Sequence, residues 1–202
     1  ESLLNRYYED LQKPIISGNI YHYRKLALEV IGVSKAIVKP LWNGDNTVKV
    51  VIIDSNKKIP SLDLIKSVQN HIDPYVLDEK GAKIGWGCGN GAAPIGAYCT
   101  VVGADALNLS VSFDVILKNG ADLDSTKKIV FNAIEEYFSQ IALDENVNYV
   151  SYAKIGVAIM NCENVLDYKN LKLNDDINNI LIINNNVISQ IPVLENLTVN
   201  EV

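Results

Sequence analysis

The sequence is short of the residues on which covalent chemistry and metal binding most often rest. It holds three cysteines, two histidines and one methionine in 202 residues. Three irregularly spaced cysteines make no disulfide framework, so a small cystine-held scaffold is excluded and a reduced, intracellular setting is expected. Structural zinc uses close ligand pairs such as C-x-x-C, and Cys88, Cys99 and Cys162 stand far apart. Basic residues are also the minority, 18 against 24 acidic, which argues against a nucleic-acid partner because phosphate binding needs clustered Lys and Arg. There is no apolar run of about 18 residues to span a membrane, and no signal-peptide pattern at the start. The chain opens on Glu1 and its only methionine is Met160. The expectation is a segment of a longer polypeptide.

What the sequence does have is a 48% apolar content, enough for a packed core in one or two domains. Leu3, Leu4, Tyr7, Tyr8 and Leu11 fall at helical spacing and predict an N-terminal helix and turn over 1–18. A second helix, "IYHYRKLALEVIGV", carries Ile20, Tyr23, Ala27 and Val30 on one face and stops near Gly32. "SKAIVKPLW" and "TVKVVIID" read as strands joined at "NGDN", and "SLDLIKSVQNHI" as a helix capped by Ser61. These elements predict a middle α-β-β-α domain over 19–77. Farther on, "NLSVSFDVILK" alternates strictly, and "DLDSTKKIVFNAIEEYFSQI" carries a clear helical stripe. "YAKIGVAIMNCENV" reads as a helix, "LDYKNLKLN" as a strand, and the tail as a hairpin about Asn184–Asn186 plus a short last strand. The fold class is therefore α+β: two small sheet-plus-helix modules, the second over 99–202, joined by a glycine-rich linker over 78–98. "YRKLALEVIGVSKAIVKPL" and "YAKIGVAIMNCENVLDYKNL" echo each other, as do the two strand–turn–helix segments that begin at Thr47 and Ser110. Two related units with their elements in a different order would produce this pattern, and so would shared βα grammar.

The linker holds the most unusual stretch, "KIGWGCGNGAAPIGAYC", with five glycines between Lys83 and Cys99. Gly91-x4-Gly96 has the outer spacing of a phosphate-binding loop, but Ala97-Tyr98 replaces the lysine and hydroxyl residue that such a loop needs. Gly87-x-Gly89-x-x-Ala92 loosely matches a dinucleotide fingerprint, yet Pro94 and Gly96 interrupt the helix that should follow. "DENVNY" starts like a calcium loop and fails at Tyr149 and Ile155. His22 and His71 read as rim histidines and Cys162 as a small core residue. No catalytic, cofactor-binding or metal-ligating residue is assigned, and no small-molecule substrate. The glycine stretch reads instead as a joint, with Gly85, Gly87, Gly89, Gly91 and Pro94 as candidate hinge residues. Alanine at those glycines would then impair assembly more than folding. Ten of the fifteen aromatics are tyrosines, which suit interfaces because they combine area with a polar handle. Tyr7, Tyr8, Tyr21, Tyr23 and Trp86 are the candidate interface residues.

Several motifs in one order carry a resemblance. Ser17-Gly18-Asn19 precedes a helix containing His22 to Ala27, Gly32-Val33 ends it, Pro40 to Gly44 form the hairpin, and Thr47 to Ile52 the second strand. "AAPIGAYCTVV" follows, then "YAKIGVAIMNCENVLDYKNLKLN" and "IPVLENLTV". This succession resembles the middle and C-terminal regions of the baseplate J-like family, found in Mu-like phages, PBSX-type defective prophages and R-type bacteriocins. The resemblance implies a structural role without enzymatic activity. The protein would be a wedge component of a contractile-tail baseplate. Further copies of itself and other wedge proteins would be its partners in a ring around the hub, and the ring would help trigger sheath contraction. It also implies assembly in the bacterial cytoplasm and a final place in the tail or bacteriocin particle. Cys99 stands where the family often has a small apolar residue, and "WGCGNG" departs from the shorter, more charged loop expected there. Two other readings stay open at this point: a small-molecule-binding or enzymatic α+β domain without a recognisable motif, and an extracellular interaction module with a Cys88–Cys99 bridge.

Overall fold

The structure, a computed structural model, describes residues 16–202. The N-terminal helix expected over 1–18 therefore falls, up to residue 15, outside the described residues. The chain divides into two compact units, with the break at Ala104/Asp105.

Unit 1 begins with α1, Ile20–Glu29, followed by β1, Val33–Pro40, and β2, Thr47–Asp54. The two strands are antiparallel, with Val33 opposite Asp54 and Pro40 opposite Val48. Helix α2, Leu62–Ile72, starts on Ser61, whose hydroxyl accepts the Leu64 N–H at 3.2 Å. A small antiparallel pair follows, β3 at Val76–Leu77 and β4 at Lys83–Ile84. Strand β5, Tyr98–Gly103, then runs parallel to β2, giving the order β1-β2-β5. Strand alternation turns Ala36, Val38, Val50, Ile52, Cys99 and Val101 toward the helices, where they meet Tyr23, Leu26, Ala27, Val68 and Ile72. The opposite face of β2 is buried as well, with Val51 and Ile53 out of solvent. That is why "VKVVIID" shows a continuous apolar run instead of alternation. Each such Val or Ile contributes about 1.5–3 kcal/mol by leaving water.

Unit 2 begins with β6, Asp105–Leu117. Its Leu109, Val111, Phe113 and Val115 are buried in register with the sequence alternation. Asp122 caps α3, Leu123–Ile141, by accepting the Ser125 N–H at 2.8 Å. Short strand β7, Tyr149–Val150, leads to α4, Tyr152–Met160, capped by Ser151. Strand β8, Val165–Leu173, lies antiparallel to β6. Strand β9, Ile180–Leu181, pairs with β7, and β10, Gln190–Glu201, runs parallel to β6. The order is β10-β6-β8. The tail hairpin about Asn184–Asn186 is present, closed by an Asn184–Ser189 bridge. Its last strand is long, because β10 follows β6 along most of its length.

The two sheets share one plan. Each has a central strand with an antiparallel neighbour on one side and a parallel neighbour on the other. Each central strand is followed by a capped helix, β2 by α2 and β6 by α3, and each antiparallel neighbour is preceded by a helix, β1 by α1 and β8 by α4. The helix–strand pair comes first in unit 1 and after the strand–helix pair in unit 2. These are the segments that echo each other in the sequence.

The domain boundary differs from the sequence reading. Residues 99–103 belong to the first sheet, and residues 78–98 lie within unit 1. The glycine-rich stretch is thus a segment inside unit 1 and does not join the two units. The reason is the parallel pairing of β2 with β5, which needs a long crossover after α2.

Candidate functional site

The glycine-rich segment is held by two side chains from the end of α2. Asp73, 1% exposed, accepts the Gly87 N–H at 3.0 Å and the Cys99 N–H at 2.9 Å. Gln69, also buried, donates its amide to the carbonyls of Asp73 at 2.7 Å and Cys99 at 3.0 Å, and accepts the Val101 N–H at 2.8 Å. The Trp86 indole N–H adds a second donor to the Cys99 carbonyl, at 2.7 Å. Tyr98 and Ala104 turn their N–H groups toward β2, so Cys99 and Val101 present theirs to the outside of the sheet. Asp73, Gln69 and Trp86 therefore satisfy the outer edge of β5 with side chains, where a further strand would otherwise pair.

The glycines are packing requirements of this arrangement. A Cβ on Gly91 would lie 2.5 Å from the Ile72 carbonyl oxygen, and one on Gly87 2.6 Å from the Tyr98 ring. Gly87 also has φ +71°, in the left-handed region that side chains resist. Of the residues expected to form a hinge, Gly87 lies against Tyr98, Gly89 against Ile95 and Gly91 against Ile72, each too close for a Cβ, while Gly85 and Pro94 make ordinary contacts. Around them Trp86 stacks tilted on Tyr98 at 5.0 Å, and the Lys83 ammonium sits 4.1 Å from the Trp86 ring and 4.6 Å from Tyr75.

The candidate interface residues separate. Tyr7 and Tyr8 lie outside the described residues. Tyr21 is half-buried, and Trp86 is half-buried with its indole N–H committed to Cys99. Tyr23 is a core ring at 1% exposure, a correction to the surface role expected for it. Burial, with the nearby Cys99 and Asp73, pushes its hydroxyl up to about 12. The Cys99 thiol is likewise pushed up to about 12, first by burial and then by Asp73. All three cysteines are free, Cys88 exposed and Cys99 and Cys162 buried, so no Cys88–Cys99 bridge is present. His71 pairs with Glu29 at 3.2 Å on the surface.

The motif residues near the start act in folding. Gly18, at φ +85°, donates its N–H to His22 Nδ1 at 3.2 Å, while Asn19 accepts the His22 N–H at 2.8 Å. This is a variant of the capping box at the start of α1, with His22 where glutamate usually stands and accepting from Gly18, one residue before the cap. In the hairpin, Gly44 has φ +93°, Thr47 donates to the Gly44 carbonyl at 2.7 Å, and the Lys49 ammonium lies 4.6 Å from the Trp42 ring. Gln69 and Asp73 escaped the sequence reading. The available signals were a glutamine within the buried stripe of α2 and an acid at that helix's C-terminal end, where the dipole disfavours it.

The other sheet edges are guarded differently. β1 carries Lys35, Lys39 and Pro40 beside a bulge. β8 carries Lys169, Lys172 and Asn170 at φ +54°, and its register against β6 shifts twice. β10 has Pro192 in its first half and a bulge at Leu194/Asn196.

Comparison with known proteins places both units. The model of the baseplate J-like central domain matches residues 16–103, and that of the baseplate J-like C-terminal domain matches residues 109–200. An uncharacterized protein, YqbT, of Bacillus subtilis (strain 168) is 34% identical over 182 residues, covering 90% of this chain and 49% of that protein. The phage-like element PBSX protein XkdT of the same organism is 32% identical over 182 residues, with the same coverage. The chain thus spans about half the length of these curated relatives. A chain in the cryo-EM structure of the anti-feeding prophage baseplate, six-fold symmetrised, has the same fold at a TM-score of 0.55 and 10% identity, over 95% of this chain and 41% of that one. The two matched regions coincide with the two units, and the chain belongs to the baseplate J-like family, of which it carries the central and C-terminal domains.

Proposed function

We propose that this chain is a structural part of the baseplate of a contractile tail, in a phage, a prophage or an R-type bacteriocin. It would act in the baseplate wedge, in a ring of several copies with a second wedge protein around the hub, and rearrange as the sheath is released. The observation that carries this reading is the tandem match of both baseplate J-like domains to the two folded units. The phage-like element relative and the fold shared with a baseplate chain support it.

The chemistry around the glycine-rich segment fits a protein that presents surfaces. Asp73 is committed to two backbone N–H groups, and Cys99 to the core with its thiol pushed up to about 12. Among the described residues, no helix is long and apolar enough to cross a membrane. Assembly would take place in the bacterial cytoplasm before incorporation into the particle.

The test is an in-frame deletion of the full-length gene in the bacterium that carries it, complemented by the wild type and followed by electron microscopy of induced particles. Loss of baseplates and of contraction, restored by complementation, is expected. Particles that assemble and contract normally without the protein would refute the reading.

A further inference from the structure

Strand β10 is an edge strand whose second half lacks the guards found elsewhere. The Val202 N–H donates to the Val115 carbonyl at 3.1 Å, toward β6. Backbone groups alternate sides along a strand, so Leu197, Val199 and Glu201 turn their N–H and C=O groups away from β6. Pro192 withholds a donor only in the first half, before the bulge at Leu194/Asn196. Beyond the bulge there is no proline, no lysine and no capping side chain from another element among the hydrogen bonds of the described residues.

Alongside this edge lies a groove of about 470 Å³, lined by Lys127, Lys128, Phe131, Asn132 and Leu197. Its walls come from α3 and β10, with no lining residue from β6, and among the described residues β10 has no strand on its other side. Phe131 is 40% exposed, an unusual position for phenylalanine on a helix whose other large apolar residues face the core. The rim is basic in an acidic unit: from Asp105 to Val202 there are six lysines and no arginine against fourteen acidic residues, and two of those lysines line the groove.

We propose that α3 and β10 together form a binding site for an extended segment of a partner protein, added to the sheet as a fourth strand beside β10. Backbone hydrogen bonds to Leu197, Val199 and Glu201 give affinity in this mode, and a pocket for alternate side chains gives specificity. The partner segment places an apolar side chain on Phe131 and Leu197 and an acidic one under Lys127 and Lys128. Glu195 and Glu201 stand toward the ends of the free edge, so the acidic residue belongs at the segment's centre. The inference rests on unit 2 alone and holds whether or not the chain works in a baseplate.

The experiment uses the full chain and a fluorescein-labelled synthetic peptide of about nine residues, alternating Val and Thr around a central Phe-Glu. A second peptide carries Lys in place of Glu. Fluorescence anisotropy should show binding of the acidic peptide, weakened at least about tenfold by Phe131→Ser and by Glu201→Pro. The double charge reversal Lys127→Glu/Lys128→Glu should exchange the preference for that of the lysine peptide. Circular dichroism verifies that each variant folds, and the lysine pair keeps the test intact should Phe131→Ser not fold. Equal binding of both peptides, no binding at about 1 mM, or unaltered affinity in the variants overturns the proposal. So does a dimer of the protein alone that Glu201→Pro abolishes, since the edge would then belong to a second copy.

Discussion

Asp73 and Gly87 are joined at 3.0 Å across a sequence separation of fourteen residues, and the same carboxylate holds Cys99 at 2.9 Å. One buried acid thereby ties the end of α2, the glycine-rich segment and the edge of the first sheet. Asp73→Ala is expected to destabilise unit 1 by about 3 kcal/mol, because two buried N–H groups lose their acceptor. Asp73→Asn keeps one acceptor oxygen and should cost about half as much. Urea denaturation followed by tryptophan fluorescence measures both, and equal stability of Asp73→Ala and wild type would rule out the role given to this carboxylate.

Gly91→Ala should cost about 3 kcal/mol, since the new Cβ meets the backbone carbonyl of Ile72, which cannot move away as a side chain can. Gly81→Ala, at φ +80° with open space around it, should cost about 1 kcal/mol. A hinge would give the reverse, with folding intact and assembly impaired. Midpoints for the two variants in the same denaturant series test the order.

Alkaline pH should weaken unit 1. Cys99 and Tyr23 are both pushed up to about 12 from ordinary values of 9.0 and 10.0. The unfolded chain releases these protons first, so above pH 9 it binds fewer protons than the folded chain, and stability falls as pH rises from about 9 toward about 12. Below pH 9 this contribution is fully present. Cys99→Ala should flatten the slope between pH 8 and 10.5 in urea melts. Thiol titration with an aromatic disulfide should label Cys88 in the native protein and Cys99 and Cys162 only after unfolding.

Gly156→Ala should destabilise unit 2 by about 1 kcal/mol, because a Cβ there overlaps the Tyr168 hydroxyl and disturbs its edge contact with Phe113 at 6.3 Å. Adding Tyr168→Phe removes that hydroxyl and should recover most of the loss. Additive losses in the double variant, read from thermal melts, would contradict this packing account.

The elements with strong periodicity were legible in the sequence. Leu109 to Val115 alternate and are buried in that alternation, and α3 is capped by Asp122, the first residue of the stretch read as a helix. Even the echo between the segments at Tyr23 and Tyr152 corresponds to equivalent helix–strand pairs in the two sheets. The placement of β5 was not legible, because a parallel pair leaves no local turn signal and "YCTVV" would suit either sheet. Asp73 and Gln69 were missed because their partners in the glycine-rich segment and β5 lie 14 to 32 residues away in sequence. Tyr23 shares a helical face with Ala27, a signal of burial that outweighs the surface role its phenol suggests.

The uneven protection of the sheet edges sets a limit on how this chain can associate. A protein with two exposed, compatible edges can propagate into a fibre, each added molecule offering the next docking point. Among the described residues of the two three-stranded sheets, β5 is closed by side chains, β1 and β8 are interrupted and lysine-bearing, and the far half of β10 is bare. In the proposed strand addition, pairing at β10 adds one strand and the sheet ends there, which suits a complex of defined size better than open-ended growth.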